Sequence, residues 1–194
     1  MHAKALILIA LLSVAPLSAC TSAAESVGSI FKSPMATKQG SVDAGEAAAL
    51  ISQYRRSRGL SGVTVDPTLT RIAAVHAQRM AAADKMAHVL PGEGSFTQRL
   101  AAGGFKAAMA AENVAAGQDT LADVLEAWRK SPGHNANLLL PNVSKIGIAL
   151  AIAEDSKYKT YWALVLGEWY VPRAGVTMVG PGAPRPDGVT VEIH

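Results

Sequence analysis

A single cysteine, Cys20, excludes any disulfide framework, so the fold must stand on packing alone. Aromatic residues make up only 5% of a chain whose hydrophobic fraction is 49%, which leaves Ala, Leu, Val and Ile to build the core. Such a composition suits helices that approach closely through small side chains. Charge of one sign is also scarce. The net charge is +3, and the Arg55, Arg56 and Arg58 cluster falls at an expected helix end, where cations complement the macrodipole from solvent. Nucleic-acid binding needs a broader basic stripe and is excluded as a partner class. No apolar run reaches the ~20 residues of a transmembrane helix.

The leading apolar run does have another use. Lys4 supplies a positive start, Ala5 to Leu17 forms a short apolar segment, and small residues follow. This is signal-peptide organisation, with residues 1–19 as the leader. Leu17-Ser18-Ala19-Cys20 resembles a bacterial lipobox, in which small residues enter the peptidase and the cysteine thiol takes the lipid. Cys20 is therefore expected to be lipidated, which removes it as a catalytic thiol. Thr21 and Ser22 lack the Asp that retains such proteins in the inner membrane. The expected location is the cell envelope outside the cytoplasm, on the periplasmic face of the outer membrane in a Gram-negative source. Residues 20–42, with the Ser/Ala/Gly-rich Thr21–Val42, read as a tether with a span of roughly 25 Å.

The next segment, 43–170, reads as one domain with no internal repeat. Asp43 and Glu46 start a helix whose face is Ala47, Leu50, Ile51 and Tyr54, and Gly59 stops it. Asp66-Pro67 starts a second, with Leu69, Ile72, Ala73, His76 and Met80 on one side. Ser95 and Gln98 form a capping box for a short third, which ends at Gly103-Gly104. Thr120 leads a fourth with Leu121, Val124, Leu125 and Trp128, and Ser131-Pro132 ends it and opens a further turn. After Pro141 the period becomes two: Ile146, Ile148, Leu150 and Ile152 alternate with Gly147, Ala149, Ala151 and Ala153. A polar turn at Glu154–Lys159 returns the chain through Tyr161–Trp169 as a hairpin. Helices followed by an antiparallel pair give an α+β class. Residues 171–194 read as a Pro/Gly-rich tail with a short strand near Val189–Ile193.

Candidate chemistry lies in His88, Glu112 and His134. His88 stands before the loop Pro91-Gly92-Glu93-Gly94, and Glu112 with Asn113 sits in an otherwise apolar stretch, Ala107–Ala116, where a buried carboxylate needs a partner. The positive end of the helix opened by Ser131-Pro132 favours neutral His134, the form a metal requires. Two histidines and a carboxylate can hold a divalent cation or act as an acid/base pair. They lack the short spacing of a helix-borne zinc motif, and a purely structural role satisfies the same residues. His76, on an apolar stripe, reads as a core or cleft-rim histidine, and Trp128, Trp162 and Trp169 as core packing.

The ordered motifs from Ser52 to Trp169 resemble the CAP superfamily (cysteine-rich secretory proteins, antigen 5 and pathogenesis-related 1; the SCP domain), in its cysteine-poor bacterial branch. They are Gln53-Tyr54-Arg55 with Gly59-Leu60, Ala73-x-x-His76-Ala77-x-x-Met80-Ala81 before His88, and Phe96-x-x-Arg99-Leu100 before Phe105. Glu112-Asn113-Val114-Ala115 follows, then Trp128-x-x-Ser131-Pro132-Gly133-His134-x-x-Asn137-Leu138-Leu139, Ile146-Gly147-Ile148 and Tyr161-Trp162. The resemblance implies a three-layer α-β-α sandwich, helices covering a small antiparallel sheet. It also implies a cleft lined by two His and two acidic residues that sometimes hold a cation such as Zn. His88, Glu112 and His134 match three of the four, with Asn113 beside them. Ser131 stands where eukaryotic relatives carry the second acid, and Ala111 replaces the usual Gly before Glu112. The favoured function is a ligand-binding module for a lipid, glycan or peptide, taken as a monomer. The alternative is a metal-assisted hydrolase of an envelope or extracellular ester or amide, with Glu112 as candidate base.

Overall fold

The computed structural model describes residues 41–172 and the backbone of 190–193; the leader, the lipobox and nearly all of the tether lie outside the described residues. Within them run α1 (Ala44–Arg56), β1 (Thr64–Val65), α2 (Pro67–Ala82), α3 (Phe96–Ala102) and β2 (Ala107–Ala116). There follow α4 (Leu121–Lys130), α5 (Pro132–Leu138), β3 (Lys145–Ala153), β4 (Lys159–Trp169) and β5 (Thr190–Ile193).

The expected helix starts at Asp43, Asp66, Ser95 and Thr120 are present with their capping side chains. The Asp43 carboxylate accepts from the Gly45 and Glu46 amides, and Ser95 and Gln98 close a reciprocal capping box. Asp66 has two roles: Oδ1 accepts from the Thr68 and Leu69 amides, while Oδ2 accepts from Trp169 Nε1 at 2.9 Å. It thus caps α2 and ties that helix to the end of β4. Asp66→Ala is expected to cost about 1–2 kcal/mol, read as a lowered midpoint in urea denaturation with unchanged slope.

The five strands run in the order β1-β3-β4-β2-β5. The inner pairs β3–β4 and β4–β2 are antiparallel, as expected, but both outer pairs, β1–β3 and β2–β5, are parallel. The sheet is therefore mixed, because two segments too short to show a period add themselves to its edges. Alternation along β3 divides the core into the two layers of a sandwich. Ile146 and Ile148 join Ile51, Tyr54, Val124, Leu125 and Trp128 beneath α1 and α4. Ala149 and Ala151 join Leu69, Ile72, Ala73, Met80, Phe96 and Phe105 beneath α2 and α3. The three-layer α-β-α architecture holds.

One charged residue departs from the solvated helix end expected of it. Arg55 is 1% exposed and donates through Nε to the Ser61 carbonyl, through Nη1 to those of Leu138 and Leu140, and through Nη2 to that of Val143. It gathers the loop after α1 and the exit of α5 around one guanidinium, and burial lowers its pKa. A planar fork of five donors suits this cluster of carbonyls as no other side chain does.

Candidate functional site

Strand β2 sets the geometry. Ala110 and Val114 face the α2–α3 layer, so Glu112 between them faces it too, whereas Asn113 points to the opposite side. Glu112 is fully buried in the layer that also holds His76 and Arg99. Burial alone would push its carboxyl up. The hydrogen bond from His88 and the attraction of His76 and Arg99 outweigh that and hold it below the usual carboxylate range.

Both carboxylate oxygens are engaged. His88 Nδ1 lies 2.9 Å from Oε1, and Arg99 Nη2 donates to Oε2 at 2.5 Å. An ionised carboxylate only accepts, so His88 Nδ1 carries a proton and donates it to Oε1. Arg99 Nη1 also donates to the His88 carbonyl at 2.8 Å. One guanidinium therefore grips both the backbone of His88 and the carboxylate that orients its ring. The His88 side chain retains 21% exposure.

Two further residues, Glu93 and Arg99, complete the cluster, and neither stands among the candidates read from the sequence. Glu93, from the loop after His88, accepts from His76 Nδ1 at 2.7 Å, and its Oε1 lies 3.7 Å from Arg99 Nε. His76 is fully buried, with Nε2 3.7 Å from Glu112 Oε1, so it lies between two carboxylates rather than at the rim of a cleft. A signal for these partners does exist. A histidine on an apolar helix stripe and a glutamate in an apolar strand each demand an opposite group, and Arg99 sits on the helix between them in sequence.

On the other face of β2, Asn113 Nδ2 donates to the His134 carbonyl at 3.0 Å, and Asn137 Nδ2 reaches both Asn113 Oδ1 and the Glu112 carbonyl. Asn113 is wholly buried and braces α5 against β2. Ser131 caps α5 without a side-chain hydrogen bond, and Pro132 occupies its first turn. The fold thus brings the side chains of His88 and Glu112 into contact and holds the His134 main chain to the residue next to Glu112. Among the described residues, no group of three or more His, Cys, Asp or Glu side chains is arranged to hold a metal ion. Glu112, with its oxygens turned to Arg99 and to His88 Nδ1, stands behind the imidazole and not beside it.

Similarity to known proteins agrees with this architecture. The chain is 34% identical over 99 residues to the uncharacterized protein YkwD of Bacillus subtilis (strain 168), covering 51% of this chain and 38% of YkwD. An extracellular protein containing a SCP domain from Bacillus anthracis str. Ames superposes with TM-score 0.56 at 23% identity, over 63% of this chain and 39% of that one. An outer surface protein from Borrelia burgdorferi superposes with TM-score 0.57 at 24% identity, over 68% of this chain and 100% of its own. The chain spans well under half the length of the two Bacillus proteins. The family model of the cysteine-rich secretory proteins matches residues 48–166, more than half of the sequence, and the chain belongs to this CAP family.

Proposed function

We propose that the protein is an extracytoplasmic CAP-domain lipoprotein, anchored through Cys20, and that its His88–Glu112–His134 region binds a ligand. The leader and lipobox support the compartment, as do two similar folds described as extracellular and outer-surface proteins. No helix among the described residues is long and apolar enough to cross a membrane. In this reading the lipid on Cys20 supplies the attachment, and three acyl chains would hold far more firmly than one.

The observation that carries the binding reading is the state of Glu112. A carboxylate held below its ordinary pKa, with both oxygens taken, is a poor general base. It is well suited to fix the tautomer and direction of His88, as carboxylates behind metal-binding imidazoles do. A divalent cation such as Zn would take His88 through Nε2 together with His134, with Glu112 orienting the ring; it would supply a Lewis-acidic anchor for an oxygen-bearing ligand. The hydrolase reading needs Glu112 to gain and lose a proton, which its partners oppose.

The test is the cation content and affinity of the full chain purified in detergent. Wild type is expected to bind one equivalent of Zn, and His88→Ala and His134→Ala each to lose at least tenfold in affinity. Equal binding in all three proteins, or none in wild type, would overturn the cation site.

A further inference from the structure

The buried cluster has a second side. Opposite the sheet, between α2 and the end of α3, a cavity of about 330 Å³ is walled by Ile72, Val75 and Ala102, with Arg71 and Arg79 at the rim and Glu93 and Arg99 in its floor. Arg71, Val75 and Arg79 recur every four residues and so form one stripe of α2, about 12 Å from first to last. Val75 is 47% exposed, an apolar side chain left in solvent between two cations. Arg71 donates to the Gly103 carbonyl at 3.2 Å, which joins the two helices across the groove.

The floor carries unmet hydrogen bonding. Arg99 Nε is a buried donor, and Glu93 Oε2 a buried acceptor, with no hydrogen-bond partner in the protein, although Arg99 Nη1 and Nη2 and Glu93 Oε1 are all bonded. Each side chain is at least nine-tenths buried. A ligand that pairs both must offer an acceptor and a donor side by side. It must also bring negative charge, since Arg71 and Arg79 stand at the rim while the one carboxylate of the lining, Glu93, is already engaged by His76 and lies against Arg99. Its remaining surface must be small and apolar.

We propose that this groove binds the carboxyl-terminal end of a short peptide with small apolar side chains. The peptide carbonyl accepts from Arg99 Nε, and the peptide N–H donates to Glu93 Oε2. The terminal carboxylate lies between the rim arginines, and methyl-sized side chains cover Ile72, Val75 and Ala102. Carboxylate capture of this kind is a recurring mode of peptide recognition. Both floor atoms are closed to solvent, so binding includes an outward turn of the Glu93 carboxylate that keeps Oε1 on His76 and uncovers Arg99 Nε. Gly92 and Gly94, both at positive φ, flank Glu93 with no side chains of their own to oppose that turn. A simple fatty acid would satisfy the rim and leave both floor atoms unpaired. The cavity lies at the small end of ligand pockets, which suits two residues and no more.

The probe is N-acetyl-dialanine, in L,L and D,D forms, titrated into the full chain in detergent and followed by amide NMR shifts. Saturable shifts at Val75, Arg79 and Gly103 are expected, with affinity about tenfold weaker for the carboxamide-capped probe and for Arg79→Gln, each of which removes a charge-assisted contact. Ala102→Leu, which fills the groove without changing charge, should abolish binding. The preferred stereoisomer separates a protein end from a peptide containing D-residues. The proposal fails if neither isomer shifts the groove, if the capped probe binds equally, or if hexanoate binds as tightly as the peptide. It also fails if His88→Ala removes binding, because the shifts would then report the His88 cleft; retention in that variant keeps this inference separate from the reading of the cleft.

Discussion

Glu112→Ala is expected to destabilise the domain by about 3–5 kcal/mol, because it leaves Arg99 buried with its principal counter-charge removed. The size follows from position. Arg99 Nη2 and Glu112 Oε2 are 2.5 Å apart and both side chains are at least nine-tenths buried, so the variant leaves a largely desolvated cation. The loss spreads, since Arg99 also holds the His88 carbonyl and His88 Nδ1 loses its acceptor. Urea denaturation of the full chain measures the effect. Adding Arg99→Met to Glu112→Ala should recover part of the loss, since the uncompensated charge goes with the arginine. A single-variant loss below about 1 kcal/mol would mean that the cluster is hydrated and the ion pair weak. The same carboxylate gives a pH dependence of known sign. Its folded-state pKa lies below the ordinary value of 4.5, so its contribution is fully present above that value and is lost as pH falls through the lower, folded-state pKa. Stability in wild type should therefore fall on acidification below about pH 4.5 more steeply than in Glu112→Gln, which has no carboxyl to protonate.

The elements with a clean local signal are legible in the residues. Capping carboxylates at Asp43 and Asp66, the Ser95–Gln98 box and the Thr120 start all depend on contacts within a few residues, so sequence spacing reports them directly. The alternation of β3 is equally plain, because its two faces meet different layers. Strand β2 is not. Ala107–Ala116 is nearly all small apolar residues, buried on both faces through most of its length, and a strand covered on both sides has no period to read. The solvated helix end expected of Arg55 fails because the carbonyls it gathers lie as far as 88 residues away. The site divides along the same line. His88 and Glu112 are singled out by residue type and by the family resemblance, whereas their partners Glu93 and Arg99 are set by contacts between the loop after His88, α2, α3 and β2. The missing acid at Ser131 is matched in number by Glu93, reached through His76 from the opposite layer.

Gly147→Ala, a single added methyl, is expected to cost about 3 kcal/mol or more. A Cβ built on Gly147 meets the Leu69 carbonyl carbon and the Thr70 nitrogen at 2.1 Å, well inside any contact that real atoms keep. Both are backbone atoms of the first turn of α2, so no rotamer change relieves the clash. Either α2 lifts from the sheet or β3 bends. Lifting α2 uncovers Leu69, Ile72, Ala73 and Met80 and moves His76 away from Glu93 and Glu112, because all these side chains ride on one helix. Bending β3 instead breaks its register with β4, where Gly147 pairs with Val165, itself a buried member of the α2–α3 layer. Gly147 thus links fold to site: the smallest residue in β3 sets how closely the histidine helix approaches the sheet that carries Glu112. Denaturation should show the stability loss, and NMR of the surviving folded fraction should show shifted His76 and His88 ring nitrogens. Full stability in Gly147→Ala would mean that α2 stands farther from β3 than the contact of Gly147 with Leu69 and Thr70 requires.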